Sequence, residues 1–415
     1  MSKIRNIFVL IFISILTLFT SSCELMQETT EKVTVEITNE ITNKVVDYTN
    51  ITITDLENAV EETIEAVSRA VIGISVKEVS YVGTGFNKVE SQDTVAIGSG
   101  VIYKREEIKN EEGVCTAYKY YVITNKHVVL DDDNNANYII YVYDGVEDVE
   151  IKATLIGYDP KVDVALVTFE HSVYIDPVEF GDSDSLKKGN FVIAIGNPTG
   201  FEYYNSATYG IVSGGLRYMN SDTDNDGVND FVCEYLQHDA AISPGNSGGG
   251  LFGIDGKLYG INTLKIVATN TENLGFAITS NVVKTIVTEY LEKGVEIVRP
   301  RLGCTGIAVK DLTPAIIYAN GLKGIPESIY SGTTPFGIYV TDSIVPGASL
   351  STTDIEKDDI ILTFDGIKVK DFDVISSKLN SLVDYKLGDE VEITYYDRSA
   401  NSIVTTTITL KTANK

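Results

Sequence analysis

The sequence predicts a long all-β region followed by a smaller α+β segment. Three observations support this. Between residues 71 and 280, short β-rich runs alternate with glycine-containing turns, the texture of a sandwich or barrel. Helical spacing is nearly absent there and returns at residues 281–293. The chain has 415 residues, and single cores stop growing at roughly 250–300, so at least two domains are expected.

In chain order, the first apolar run is a terminus rather than a core. Lys3 and Arg5 precede an almost wholly apolar stretch over residues 7–18, then Thr20, Ser21, Ser22 and Cys23. A charged start, a short apolar run and small residues describe an export signal. The run is short of the roughly 20 residues a spanning helix needs. Small residues directly before a cysteine resemble a bacterial lipoprotein cleavage site, although Thr20 stands where leucine is usual. Lipidation at Cys23 is the expectation, with an uncleaved anchor or plain secretion as alternatives. Residues 1–22 are thus read as a lipoprotein-type signal peptide and 23–54 as a tether, rich in Thr, Glu and Asn. The alternation of Val33, Val35 and Ile37 allows a short strand there.

Thr54-Asp55-Leu56-Glu57 has capping-box spacing, and Leu56, Val60, Ile64 and Val67 follow at helical intervals. A helix is expected to about Arg69. The strand strings then run VIGISV, AIGSGVIY, YYVIT, YIIYVYD, DVALVTF, FVIAIG, ATYGIVSG and LYGIN. The helix at 281–293 and the dipeptide Arg299-Pro300 mark a boundary. The domains read as 55–295 and 301–412.

Hydrophobic residues make up 43% and charged residues 22%, an ordinary globular mix. The formal net charge of −26 repels phosphate backbones, so nucleic acid is not expected as a partner. Four cysteines lie far apart with no C-x-x-C spacing, which argues against a zinc site.

The chemistry is concentrated in Ser243-Pro244-Gly245-Asn246-Ser247-Gly248-Gly249. Flanking glycines let the chain turn sharply, present a hydroxyl and aim backbone N–H groups at a developing oxyanion. Of three histidines, His127 follows an apolar strand, whereas His171 and His238 read as ordinary polar positions. Asp163, opening the strand DVALV, is the favoured orienting carboxylate, and Asp159, in the turn with Pro160, is the competitor. The order His, Asp, Ser is that of the chymotrypsin fold.

Taken together, Thr124-Asn125-Lys126-His127-Val128-Val129, Asp163-Val164-Ala165-Leu166, Ala194-Ile195-Gly196-Asn197-Pro198, Gly210-Ile211-Val212-Ser213 and the run from Asp239 to Gly250 resemble the HtrA/Deg family of bacterial serine proteases. The resemblance covers about residues 55–412. It implies an all-β chymotrypsin-like double β-barrel protease domain followed by an α+β PDZ-like domain. It implies acyl transfer by Ser247, His127 and Asp163, with Gly245 and Ser247 N–H groups as the oxyanion hole and no required cofactor. Digestive trypsin-like enzymes carry Asp where this chain has Asn246, so activation by clipping is not expected. Ala241 and Ile242 would floor the primary pocket, favouring small or medium aliphatic residues. The facing strand brings Asn262 and Leu264, and Leu264 departs from the small residue common in the family.

Residues 301–412 resemble a PDZ domain, with Leu302, Gly303 and Cys304 in its carboxylate-binding loop and 372–383 as its groove helix. A peptide C-terminus would add there as a strand. Cys304 and Asp358 depart from the pattern, Asp358 standing where glycine is usual. The resemblance also implies trimers or larger assemblies and unfolded polypeptides as substrates, and the N-terminal signal with Cys23 puts the expected location outside the cytoplasm on a lipid anchor. The competing reading is a chaperone-like binding protein on a weakly active protease scaffold.

One further motif belongs to the residues alone. Asp222, Asp224, Asp226 and Asp230 alternate around Gly227. Two readings stand: a solvated acidic hairpin tip, since Asp, Asn and Gly are turn formers, and a calcium loop of modest affinity at 222–230 that lacks the closing glutamate of an EF-hand.

Overall fold

The computed structural model describes residues 34–35, 46–47, 52–82, 89–130, 138–145, 149–198, 201–221, 231–263, 273–326, 329 and 336–412. The signal peptide, Cys23, the aspartates of the 222–230 loop and Leu264 lie outside the described residues. Contacts divide the chain into Met1–Asn58 and Ala59–Lys415. In the first unit, Thr34–Val35 pairs antiparallel with Val46–Asp47.

Helix α1 spans Ile53–Ser68. Its capping box differs from the expected one. Asp55 N donates to Thr52 Oγ1 at 3.2 Å and Thr52 N to Asp55 Oδ2 at 2.8 Å. The reciprocal pair is therefore Thr52 and Asp55, two residues earlier than Thr54 and Glu57. Val67 and Thr63 bury one face, and Thr63 Oγ1 donates to the Ile254 carbonyl.

Six strands follow: β1 (Val71–Val82), β2 (Val89–Lys109), β3 (Cys115–Thr124), β4 (Tyr138–Tyr143), β5 (Glu150–Asp159) and β6 (Val164–His171). They close into an antiparallel barrel in the order β1-β2-β3-β6-β5-β4. Closure leaves no open edge to aggregate. A second barrel is built from β7 (Phe191–Gly196), β8 (Ser206–Ser221), β9 (Phe231–His238), β10 (Gly250–Gly253), β11 (Leu258–Thr263) and β12 (Gly275–Thr279), in the order β8-β9-β12-β11-β10-β7. Every expected strand string coincides with one of these strands, except that Asp144 lies just past the end of β4 and Asp163 just before the start of β6. The short helix α2 (Lys126–Val129) lies between β3 and β4, and helix α3 (Ser280–Thr285) runs on as a π-helical turn to Leu291.

The main core is continuous across both barrels: Ile72, Ile74, Val122, Ile123, Leu166 and Val167 from the first join Ile193, Ile195, Phe252 and Ile261 from the second. A smaller cluster of Val192, Ala194, Val212, Leu236, Leu251 and Ala277 packs on the other face of the second barrel's strands. Period-2 alternation produces both clusters, because neighbouring residues of one strand face opposite ways.

The C-terminal sheet comprises β13 (Gly306–Ala308), β14 (Ile338–Val340), β15 (Ile360–Phe364), β16 (Ile367–Lys368), β17 (Glu390–Asp397) and β18 (Ser402–Thr409). Its order is β13-β14-β15-β17-β18, with β16 on β15. Helices α4 (Pro314–Ala319) and α5 (Phe372–Ser381) belong to it. Helix α5 stops two residues before the expected end because Leu382 takes a left-handed φ of 59°. Asp358 has φ 78°, so the backbone keeps the conformation that glycine would favour. Its carboxylate accepts from Tyr339 Oη at 2.6 Å. The double barrel followed by an α+β segment is the fold class expected from the sequence.

Candidate active site

The serine loop is two consecutive turns. Asn246 N donates to the Ser243 carbonyl at 2.9 Å, and Gly245 has φ 100°. Proline second and glycine third with positive φ make this a type II turn. Gly249 N then donates to the Asn246 carbonyl at 2.9 Å, closing the second turn around Ser247 and Gly248. Gly248 has φ 82°, and a Cβ there would stand 2.1 Å from the Ser99 carbonyl oxygen and 2.3 Å from Thr124 Oγ1. Only glycine fits between those two strands of the first barrel.

Strand β2 grips the loop from the first barrel. Ser99 N donates to the Ser247 carbonyl at 2.8 Å, and Ser99 Oγ donates to the Gly245 carbonyl at 2.7 Å. Asn262 grips it from the second: its N donates to the Gly249 carbonyl, its carbonyl accepts from Gly248 N, and its side-chain amide donates to the Gly250 carbonyl at 2.9 Å. Asn246, Gly248 and Gly249 thus commit their N–H groups to backbone carbonyls, whereas that of Gly245 makes no such backbone bond among the described residues. This leaves it free to serve a developing oxyanion.

His127 rides on α2, directly after β3. Its Nδ1 lies 2.7 Å from Asp163 Oδ2, and its backbone N donates to Asp163 Oδ1 at 3.0 Å. The carboxylate therefore fixes the imidazole from two directions. The Asp163 carbonyl accepts from Lys126 N at 3.1 Å and Asn125 Nδ2 at 3.0 Å. Asp163 has φ 63°, a conformation rare for residues other than Gly, Asn and Asp, and these four bonds hold it there. Val128, next to His127, packs within 2.6 Å of where a Gly98 Cβ would stand, and that Cβ would also stand 3.1 Å from the Ser247 carbonyl. The His127 turn and the Ser247 loop thus meet across Gly98.

The other histidines lie elsewhere. His171 Nε2 sits 3.0 Å from Asp144 Oδ2, buried in the first barrel. His238 is fully buried at the end of β9, where burial pushes its imidazole down to about 4. Asp159, the competing carboxylate, pairs with Arg299 instead of a histidine. Ala241 is exposed and Ile242 half-buried, with no charge between them. Asn262 is 1% exposed, so in this structure it braces the serine loop from behind.

In the C-terminal sheet, Leu302, Gly303 and Cys304 line a cleft of about 430 Å³ together with Val345, Phe372 and Leu379. Gly303 has φ 83° and passes so close to Ala348 that a Cβ would stand 2.1 Å from it. Cys115, Cys233 and Cys304 are free thiols, and burial pushes Cys233 and Cys304 up to about 12. Sequence reasoning missed Ser99 and Asn262 as braces of the serine loop. The signal for Ser99 was its place between two glycines in AIGSGVIY.

Two closed barrels that meet at a glycine-flanked serine loop place this chain among the trypsin-like serine peptidases. The model of the trypsin-like peptidase domain matches residues 98–261. The serine protease Do-like HtrA of Bacillus subtilis is 34% identical over 339 residues, covering 80% of this chain and 69% of that protein. HtrB of the same organism is 32% identical over 370 residues, covering 88% and 74%. The chain belongs to the HtrA family of serine proteases. A solved structure of the HtrA-type protease AlgW with a decapeptide superposes with a TM-score of 0.60, covering 86% of this chain and 99% of that one, at 23% identity. That likeness concerns the fold.

Proposed function

We propose that this serine peptidase cleaves unfolded or misfolded polypeptides outside the cytoplasm by acyl-enzyme chemistry. The single observation that carries the mechanism is the 2.7 Å contact of His127 Nδ1 with Asp163, set beside the Ser247 loop. Ser247 Oγ attacks the scissile carbonyl. Neutral His127 takes its proton and then delivers it to the leaving amine. Asp163 holds the tautomer and stabilises the imidazolium. Gly245 and Ser247 N–H groups receive the oxyanion, each donor contributing about 3–4 kcal/mol in the transition state.

Peptide C-termini dock in the cleft between the 302–304 loop and α5, adding as a strand. The cleft's apolar lining and the glycine turn at 303 support this, as do the AlgW structures with a decapeptide and a tripeptide. Lipid on Cys23 tethers the protein to a membrane, a reading supported by the signal motif. The similar DegP of Salmonella typhimurium, 30% identical, is a periplasmic endoprotease. Assembly into trimers or larger forms rests on the family alone.

Casein and a stably folded globular protein, offered at equal concentration, test the substrate class. Rapid loss of casein with the folded protein intact is expected, and equal rates for both would contradict it. Partition of the wild type into detergent phase, lost in Cys23→Ser, tests the anchor. A Cys23→Ser form that stays membrane-bound with an uncut N-terminus would contradict lipidation.

A further inference from the structure

Arg299 lies in the segment that joins α3 to the C-terminal sheet, and its side chain is only 8% exposed. Arginine is seldom buried this far unless it is paired. It pairs with three parts of the fold. Its Nη2 donates to Asp159 Oδ2, at the end of β5 in the first barrel. Its Nε donates to the Asn380 carbonyl of α5 at 2.8 Å. Its guanidinium lies 5.1 Å from the ring centroid of Phe231, the first residue of β9 in the second barrel. Asn380 completes the junction, with Nδ2 donating to the Val232 carbonyl at 2.8 Å.

Asp159 begins the turn that ends at Asp163. It is 1% exposed, and its second carboxylate oxygen accepts from Lys161 N at 3.1 Å, which tightens that turn. Val162, between them, is fully buried. Asp163 then takes its left-handed φ of 63°. A residue held there depends on its surroundings to over-determine it. One end of the turn is fixed by α2, through Lys126 and Asn125. The other end is fixed by Arg299. Because both charges are buried, neither can leave without stranding the other, so the contact is either made or broken.

We propose that Arg299 is a positioning residue for the catalytic carboxylate: by clamping Asp159 it ties the geometry of the His127–Asp163 pair to the seating of α5 on the barrels. A displacement of α5 is then felt at the aspartate end of the catalytic group. This rests on the catalytic roles given above to Asp163 and His127. A purely structural clamp would lower the melting temperature and leave turnover per folded molecule unchanged.

The test uses the full-length chain, a small blocked chromogenic peptide that bypasses the C-terminal cleft, and active sites counted with a fluorophosphonate. Arg299→Met and Asp159→Asn are each expected to lose about 10–100-fold in kcat with KM within about 3-fold, the signature of misplacement rather than lost binding. The far-downfield NMR resonance of the proton between His127 Nδ1 and Asp163 is expected to weaken in both. Arg299→Lys, which keeps charge but not the fork, is expected to recover kcat to within about 10-fold of the parent. Should the single variants misfold, Asp159→Leu with Arg299→Met replaces the buried pair by apolar groups, a change cores often tolerate. It is expected to fold with low kcat. Parental kcat in any folded variant lacking the pair, or an unmoved NMR resonance, overturns the inference. Parental kcat in Asp163→Asn would instead overturn the catalytic reading beneath it.

Discussion

Ser99 Oγ donates to the Gly245 carbonyl at 2.7 Å, so a side chain of the first barrel sets a peptide of the serine loop in the second. The same oxygen accepts from Asn197 N at 2.9 Å and Asn197 Nδ2 at 3.1 Å. One fully buried hydroxyl therefore locks three backbone segments together. Catalysis by electrostatic preorganisation requires such fixed donors, because an oxyanion hole that must reorganise gives up much of its benefit.

Ser99→Ala takes the buried acceptor from Asn197 N and the donor from the Gly245 carbonyl, while Asn197 Nδ2 keeps the Ile72 carbonyl at 2.9 Å. Stability is expected to fall by about 1–3 kcal/mol. Turnover of a peptide ester is expected to fall about 10–100-fold with KM little changed, since the loss concerns the transition state. Steady-state kinetics at a temperature well below the melting transition checks this. An unchanged kcat would show that the loop is held without Ser99.

Asp163→Asn should keep the fold, because Asn tolerates a left-handed φ at least as well as Asp. It inverts the hydrogen-bonding demand on His127 and removes the charge opposite the imidazolium. A fall in kcat of about 10⁴-fold is expected. Circular dichroism and peptide turnover measured on the same preparation decide it, and a loss below tenfold would contradict the assignment.

Cleavage is expected after Val, Ala, Ile and similar residues. Ala241 and Ile242 offer no counter-charge, so a basic side chain would be desolvated without a partner. Mass spectrometry of casein fragments gives the answer directly. A majority of cuts after Lys or Arg would refute an apolar floor.

Glu234 on β9 faces Lys378 and Asp384 of the C-terminal segment around a small cleft that Asp184 also lines. Burial first, then Asp184, pushes its carboxyl up from the ordinary 4.5 to about 7, while Lys378 pulls the other way. A raised folded value means that the stabilisation is fully present below about 4.5 and is lost as pH rises through about 7. Glu234→Gln stays neutral throughout. Its melting temperature relative to the parent should therefore climb between pH 5 and pH 8. A pH-independent difference would show that the carboxylate is not buried against like charge.

Much of this was legible because it is local. Glycines around Ser247 announce a turn that no other residue could make. Strands such as YIIYVYD and DVALVTF carry β-branched and aromatic side chains between turn residues. Strand β9 was harder to read. In FVCEYLQH only Glu234 and Gln237 are not fully buried, so no period of two is visible. The capping box shifted because Thr52 and Asp55 match the spacing as well as Thr54 and Glu57 do, and α1 begins at Ile53, which puts Thr52 at the cap and Thr54 inside the helix. Arg299 read as a boundary marker because its partners lie 140 and 81 residues away. Asp159 and Asn380 give no local sign of pointing at it.

The central claim is that Ser247 is a nucleophile activated by His127 and Asp163. Labelling of the full-length protein with a fluorophosphonate, followed by peptide mass spectrometry, tests it most directly. The account expects one adduct per chain, on Ser247, absent in Ser247→Ala and slowed at least about 10³-fold in His127→Ala. A folded wild type that takes no label, or a Ser247→Ala form that labels at the parental rate, would contradict it.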